Sequence, residues 1–215
     1  MFESLEVHIK LASPVVFGRF PLQLDSLIFW ALEPYFDDSK SAVDAMKSVL
    51  KMTDDVFHAS QAISDSEFKK ELQGRSRNNS IFNNLCVPVK ITNTKVRLNL
   101  NTISLFTAFH ITNIKFYCVG KKDLIKTLLN QLNGIGCFSA SGYGQIKNIE
   151  INNISEDFSF VHDNKLNKIL PVAFIDKHEI DISRDLVMMR ARYKPPYTNS
   201  KTENCLIPTT ELYSK

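Results

Sequence analysis

An α+β fold is what the order of patterns along this chain predicts. Three observations carry it: a strictly alternating run at the start, two helix-period runs far apart in sequence, and further alternating runs between and after them. In the first run Leu5, Val7, Ile9 and Leu11 alternate with Glu6, His8 and Lys10, the period of a half-buried strand, and Ser13-Pro14 ends it. From Leu24 the spacing turns helical. Leu24, Leu27, Ile28, Ala31 and Leu32 share one face, with Pro21 ahead and Pro34 behind as boundaries. A second helix is expected over Ser41 to Met52, where Val43, Met46, Val49 and Leu50 fall together.

Val56 to Ile63 reads as a strand. Residues 64–86 read as an insertion, and within it Glu67 to Asn84 carries Lys69, Lys70, Arg75 and Arg77, then Asn78, Asn79, Asn83 and Asn84, the composition of an exposed excursion. Val87 to Leu100 alternates around Asn93-Thr94, which predicts a hairpin, and Phe106 to Val119 adds one or two strands. The clearest helix spans Lys121 to Leu132, with Leu124, Ile125, Leu128, Leu129 and Leu132 on one face. A glycine-rich segment, 134–144, follows, and Ile146, Ile149 and Ile151 mark a last strand before a Pro-containing tail. Strand, helix, several strands, helix, glycine loop, strand is the order of a ferredoxin-like domain with an insertion after its first helix. A chain of 215 residues is expected to form one such domain.

Composition narrows the function classes. A formal charge of +3 permits a nucleic-acid partner without arguing for one, so any basic surface must be local. Cys86, Cys118, Cys137 and Cys205 are scattered, with no CxxC pair and no histidine at zinc-ligand spacing, which points away from a metal knuckle or a disulfide framework. Free thiols in a reducing cytosol, no metal and no cofactor are the expectation. The alternating start lacks a signal peptide's apolar run, and no later segment is long and apolar enough for a membrane helix, so a soluble cytoplasmic protein is expected.

The glycine loop is the most informative segment. Gly134, Gly136, Gly142 and Gly144 are four of only seven glycines in the chain, and Ser139, Ser141 and Tyr143 add hydroxyls among them. Two readings stand side by side. Successive backbone N–H groups in such a loop form a nest for phosphate oxygens, and missing side chains admit a nucleic-acid backbone. Equally, the segment is an ordinary helix-to-strand connection with Gly134 as a helix C-cap, since it opens a strand and lacks the lysine of a P-loop.

Two basic segments are further candidates for RNA contact. Arg75, Arg77 and Asn78 stand in the excursion, where arginines track phosphates and asparagines bond the edges of unstacked bases. Arg190, Arg192, Tyr193 and Lys194, with Arg184 before them, interleave cations with an aromatic; this run suits RNA or a protein neighbour. Arg19, in Phe17-Gly18-Arg19, would lie near the loop because the first strand sits beside the one the loop enters. Phe17, Phe20, Phe29 and Trp30 read as core or interface aromatics. His8, His58, His110, His162 and His178 share no pattern that would pair two of them for acid–base work, and no carboxylate cluster suggests a two-metal nuclease.

Three stretches resemble a known family. GIGCFSASGYGQIKNIEI, between an amphipathic helix and a strand, looks like the glycine-rich loop of the RAMP superfamily of CRISPR-associated proteins. SPVVFGRFPLQLDSLIFWAL is similar to the opening of the small RAMP subunit of type IV CRISPR complexes, the counterpart of the "Cas five" subunit, and RARYKPPYTNSKTENCLIP is similar to that group's C-terminal region. The loop departs from many RAMP loops, which carry arginines where Cys137, Phe138, Ser139 and Ala140 stand here; charge neutralisation must then come from elsewhere.

The resemblance implies an RRM-like RAMP domain with a thumb-like insertion and a C-terminal arm over about 184–215. It implies a non-catalytic subunit that caps the 5′ handle of the guide RNA (crRNA), contacts other effector subunits in a hetero-oligomeric complex, and lies with target DNA near the end of that complex. Sequence recognition would rest on base pairing. The alternative within the same superfamily is a metal-independent endoribonuclease that processes CRISPR precursor RNA, and a weaker third reading is a protein-only scaffold.

Overall fold

Alternation in the first eleven residues becomes the middle strand of a sheet. A computed structural model describes residues 1–18, 20–64, 68–77, 102–182 and 186–208. In chain order the described elements are β1 (Glu3–Leu11), α1 (Leu24–Leu32), α2 (Ser39–Met46), β2 (Met52–Thr53), β3 (Val56–Phe57), β4 (Lys69–Arg77), β5 (Thr102–His110), β6 (Asn113–Gly120) and α3 (Lys122–Leu129). They continue with β7 (Ile146–Asn153), β8 (Val161–His162), β9 (Lys165–Leu166), β10 (Leu170–Pro171), α4 (Val172–Lys177), β11 (Leu186–Ala191) and β12 (Glu203–Pro208). The fold is mixed α/β, mostly antiparallel strands with few helices, as an α+β class requires.

β1 pairs antiparallel with β6 on one side and β7 on the other, giving the order β6-β1-β7. Leu5, Val7, Ile9 and Leu11 point to one face, where they meet Ile114, Phe116 and Cys118 of β6 and Ile149 and Ile151 of β7. α1 and α3 close that face through Leu24, Leu27, Ile28, Phe29, Ile125 and Leu129, forming the main core. The outer edge of β6 is lined by residues 50–63 through single bridges, Leu50 to Gly120, Ala59 to Cys118 and Ile63 to Lys115.

This pairing explains two differences from the sequence expectations. The second helix starts at Ser39, capped by the Asp38 carboxylate on the amides of Lys40 and Ser41, and ends at Met46 rather than Met52. Helical spacing persists to Leu50, but Lys51 N–H donates to Val119 O, so bonding to the sheet edge outcompetes another helical turn. Val56 to Ile63 is strand only at Val56–Phe57, because Ala59 N–H turns back to Phe57 O and breaks the ladder.

Residues 69–77 of the insertion form β4, which pairs along its whole length with β5. The hairpin expected over Val87 to Leu100 lies outside the described residues. A second sheet, β10-β12-β11, holds its own core of Leu166, Ile169, Leu170, Phe174, Ile175, Ala191, Tyr193, Cys205 and Ile207. The segment read as a C-terminal arm therefore supplies two of that sheet's strands. No helix among the described residues is long and apolar enough to cross a membrane.

Candidate nucleic-acid interface at the glycine-rich loop

The glycine loop is built on the end of β1. Val16 bridges Cys137, with Cys137 N–H donating to Val16 O at 2.7 Å, and Gly144 N–H donates to Pro14 O at 2.7 Å. Gly134 bridges Gln145, and Ile135 N–H donates to Gly144 O, so the loop closes at its base like a short hairpin. Gly136 and Gly144 have φ of +81° and +60°, and a Cβ on Gly144 would stand 2.0 Å from Ile135 O, one on Gly136 2.5 Å from Val16 O. These two glycines are demanded by the fold itself.

The tip behaves differently. Residues 137–142 are exposed, with Ser139 to Ser141 in a single 3-10 turn between Phe138 and Gly142, both in the left-handed region. A Cβ on Gly142 would meet nothing within 4 Å. Ser139 and Ser141 are thus presented outward on a side-chain-poor bend.

Packing then joins this tip to the inserted hairpin. Phe106 of β5 lies 4.8 Å from the Phe138 ring and edge-on to Tyr143 at 5.5 Å, and the Tyr143 hydroxyl donates to Oε1 of Gln73 in β4. Gln73 stands opposite Phe106, and Arg75 and Arg77 follow at alternate positions of the same strand, opposite Ser104 and Thr102. Val15 completes the junction with paired bonds to Phe109 of 2.9 and 2.8 Å. A strap at 14–16 therefore holds the loop by one residue and the hairpin by the next.

Of the residues expected to touch RNA, the fold brings together Gly134, Gly136, Ser139, Ser141, Gly142, Tyr143 and Gly144 with the strand that carries Arg75 and Arg77. Arg19, Asn78 and Arg184 lie outside the described residues. The C-terminal run sits on the second core. Tyr193 is only 7% exposed there, its ring covered rather than offered for stacking, and Lys194 is paired with Asp55 at 2.9 Å. Arg190 and Arg192 are exposed but reach back to Thr202 and to Ser200 O.

Gln73, Phe106, Phe138 and the Val15-Val16 strap escaped the sequence reading. Phe106 and the two valines carry only the apolar signal that any core position shares, and Gln73 and Phe138 carry none, since the ring contacts and the Tyr143 bond that single them out are tertiary.

The histidines are all beside carboxylates: His8 with Glu6, His58 with Asp157, His110 with Glu71, His162 with Asp163 and His178 with Asp54. Two of them converge on one turn, a meeting no spacing predicted: His58 Nε2 lies 2.8 Å from Thr53 Oγ1 and His178 Nε2 2.8 Å from Asp54 Oδ2. Lys177 first, and His178 after it, hold the Asp54 carboxyl below its ordinary value. His58 is buried against Phe160, 4.4 Å between ring centres, in the arrangement of a cross-link. Among the described residues no group of three or more His, Cys, Asp or Glu is placed to hold a metal ion.

An exposed glycine bend is thus clasped to the paired strands β4 and β5 at one edge of an α+β fold. Residues 83–208, more than half the chain, match the family described as CRISPR type IV associated protein Csf3, and the chain belongs to that family. The match takes in the loop and the C-terminal region, while the similar N-terminal stretch lies outside it. No curated protein matches the sequence.

Proposed function

We propose that this chain is the non-catalytic subunit that binds and caps the 5′ handle of the guide RNA in a cytoplasmic type IV CRISPR ribonucleoprotein, contacting neighbouring backbone and large subunits. The observation that carries the reading is the clasp of the exposed tip at 137–142 to the strand holding Arg75 and Arg77. A loop without cations needs charge from a neighbour, and the hairpin is that neighbour. Backbone amides and hydroxyls position the phosphates while guide–target pairing reads sequence.

The topology supports a ferredoxin-like scaffold. β1, α1, the edge segment 50–63, β6, α3 and β7 follow one another in that fold's order, and β6 and β7 both run antiparallel to β1. β4 and β5 enter as an insertion between the edge segment and β6, the place of a thumb.

Cys137 gives a direct test. Burial raises its thiol, as it does those of Cys118 and Cys205, the last to about 11, but Cys137 is exposed at the tip whereas the other two are buried. In a Cys86→Ser background, guide RNA bound in the complex should slow alkylation of Cys137 several-fold, and nuclease treatment should restore it. Equal rates with and without RNA would refute the loop's role. Repeat RNA cut at one position in chelator would favour the processing nuclease instead.

A further inference from the structure

α1 turns almost all of its surface inward. Leu24, Leu27, Ile28, Phe29 and Ala31 are in the main core. Trp30, the only tryptophan in the chain, points out and is 61% exposed. The 3-10 turn Glu33–Tyr35 follows directly, and it presents Tyr35 at 66% and then Phe36 at 37% exposure. Three large aromatics within seven residues thus stand exposed, a short ridge along the chain.

The ridge is held in shape before anything binds. Pro34 fixes the 3-10 turn, Phe36 N–H donates to Glu33 O at 3.2 Å, and Asp38 starts α2 by accepting from the amides of Lys40 and Ser41. A preformed aromatic surface loses little entropy on docking, and Trp and Tyr dominate the buried centres of protein interfaces. Large exposed aromatics clustered this closely along the chain point to an interaction site.

Charge selects the occupant. Glu33, Asp37 and Asp38 flank the aromatics along the chain, and no Lys or Arg occurs from Phe20 to Ser39, the first cation after them being Lys40 beside Asp38, in a chain whose net charge is +3. Asp38 stays ionised, its carboxyl held below the ordinary value by the backbone and then the hydroxyl of Ser41. Three carboxylates repel a phosphate backbone, so the rings are not a stacking platform for RNA. A second copy docked by two-fold symmetry would set the same acidic residues against each other.

We infer that the Trp30–Tyr35–Phe36 ridge is the docking surface for a neighbouring protein subunit of the type IV complex, through a segment that pairs Lys or Arg with apolar side chains. The inference rests on membership of that complex and is independent of whether the glycine loop holds RNA. None of the segments that build the loop and hairpin site contributes to the ridge.

The test uses the complex, co-expressed with its neighbours and guide RNA, carrying p-benzoylphenylalanine in place of Trp30 or, separately, Tyr35. Cross-links should map to a Lys- or Arg-containing segment of one partner subunit. Trp30→Ser with Tyr35→Ser should lower that subunit's occupancy at least about tenfold, the loss typical of removing interface anchors, with guide RNA content unchanged. Glu33→Lys with Asp37→Lys leaves the core untouched and should give the same loss, most strongly at low salt. Cross-links to RNA, to a second copy of this chain or to a segment without cations would overturn the inference, as would unchanged occupancy in both variants. Lost RNA with retained subunit in these variants would likewise overturn it, whereas the loop's role is tested separately by the alkylation of Cys137.

Discussion

The Tyr197 hydroxyl donates a 2.8 Å hydrogen bond to Oδ1 of Asp25, tying the C-terminal segment to the first turn of α1. The other oxygen, Oδ2, lies 2.7 Å from Lys168 Nζ, and Lys168 also donates to Gln23 Oε1 and Ala59 O, each at 3.0 Å. Asp25 and Lys168 are completely buried. Two ends of the chain and the 155–169 connection thus converge on one carboxylate.

Breaking this network from one side leaves a charge in the core. Asp25→Ala should cost about 3–5 kcal/mol, since Lys168 keeps its burial and loses its counter-ion. Replacing Asp25 by Leu, Lys168 by Met and Tyr197 by Phe together removes both charges and the hydroxyl, leaves only the neutral acceptors Gln23 Oε1 and Ala59 O without Lys168, and should be less destabilising than Asp25→Ala alone. Urea unfolding of the single and triple variants compares the two; equal loss would mean that the charges do not act as a unit.

A pH signature follows from Tyr197. Burial first, and then the Asp25 carboxylate, push its hydroxyl well above the ordinary tyrosine value of 10.0. The raised group contributes stability that is fully present below pH 10 and is lost as pH climbs above it, because only the unfolded tyrosine then releases its proton. Lys168 acts in the opposite sense: burial lowers its ammonium below 10.5 despite Asp25, so its contribution improves with pH up to that value. Tyr197→Phe isolates the first effect, and its unfolding free energy should fall less steeply above pH 10 than that of the unsubstituted protein.

Asp157 sets the acid side. Burial alone would raise its carboxyl, but hydrogen bonds from His58 and then Ser159 bring it below the ordinary 3.8. Its contribution is present above that value and disappears as pH falls through the lowered one. Asp157→Asn should therefore be less stable at neutral pH and show a flatter stability profile below pH 4, measured by denaturant titration at each pH.

How far the sequence reached can be judged residue by residue. β1, α3 and β7 were legible because each buries one face, so Leu5 to Leu11 or Leu124 to Leu132 write their period into the chain. Asp25 was invisible for the opposite reason. A carboxylate one position inside an amphipathic helix reads as a solvated first-turn acid, and only partners 143 and 172 residues away make it a core group. At the loop, four clustered glycines announced a special backbone, but they did not separate Gly144, which the fold needs, from Gly142, which it leaves open. That distinction lies in the approach of Ile135 O, a tertiary distance.

The two glycines should separate in experiment. Gly144→Ala drives a Cβ into Ile135 O and should lower Tm markedly or abolish soluble expression. Gly142→Ala meets open space and carries only the cost of a left-handed backbone, about 1 kcal/mol. Gly142→Asp should fold as well as Gly142→Ala while adding a negative charge at the exposed tip. Guide RNA retention in the complex should then fall for Gly142→Asp and hold for Gly142→Ala; equal retention would separate the tip from the RNA.

Arg75 and Arg77 supply the remaining arm of the proposed interface, and salt is the probe that identifies them. Each arginine that neutralises a phosphate of a single strand releases counter-ions, contributing about 0.7 to the slope of log affinity against log salt. Arg75→Gln with Arg77→Gln should weaken handle RNA binding and make that slope shallower by about twice this amount. A loss of affinity with an unchanged slope would point to altered packing of the hairpin, since β4 pairs with β5 along all nine of its residues and a disturbance there reaches Phe106 and, through it, the Phe138 ring. The slope distinguishes the two because packing contacts release no counter-ions, whereas a phosphate contact cannot be lost without taking its share of the salt dependence with it.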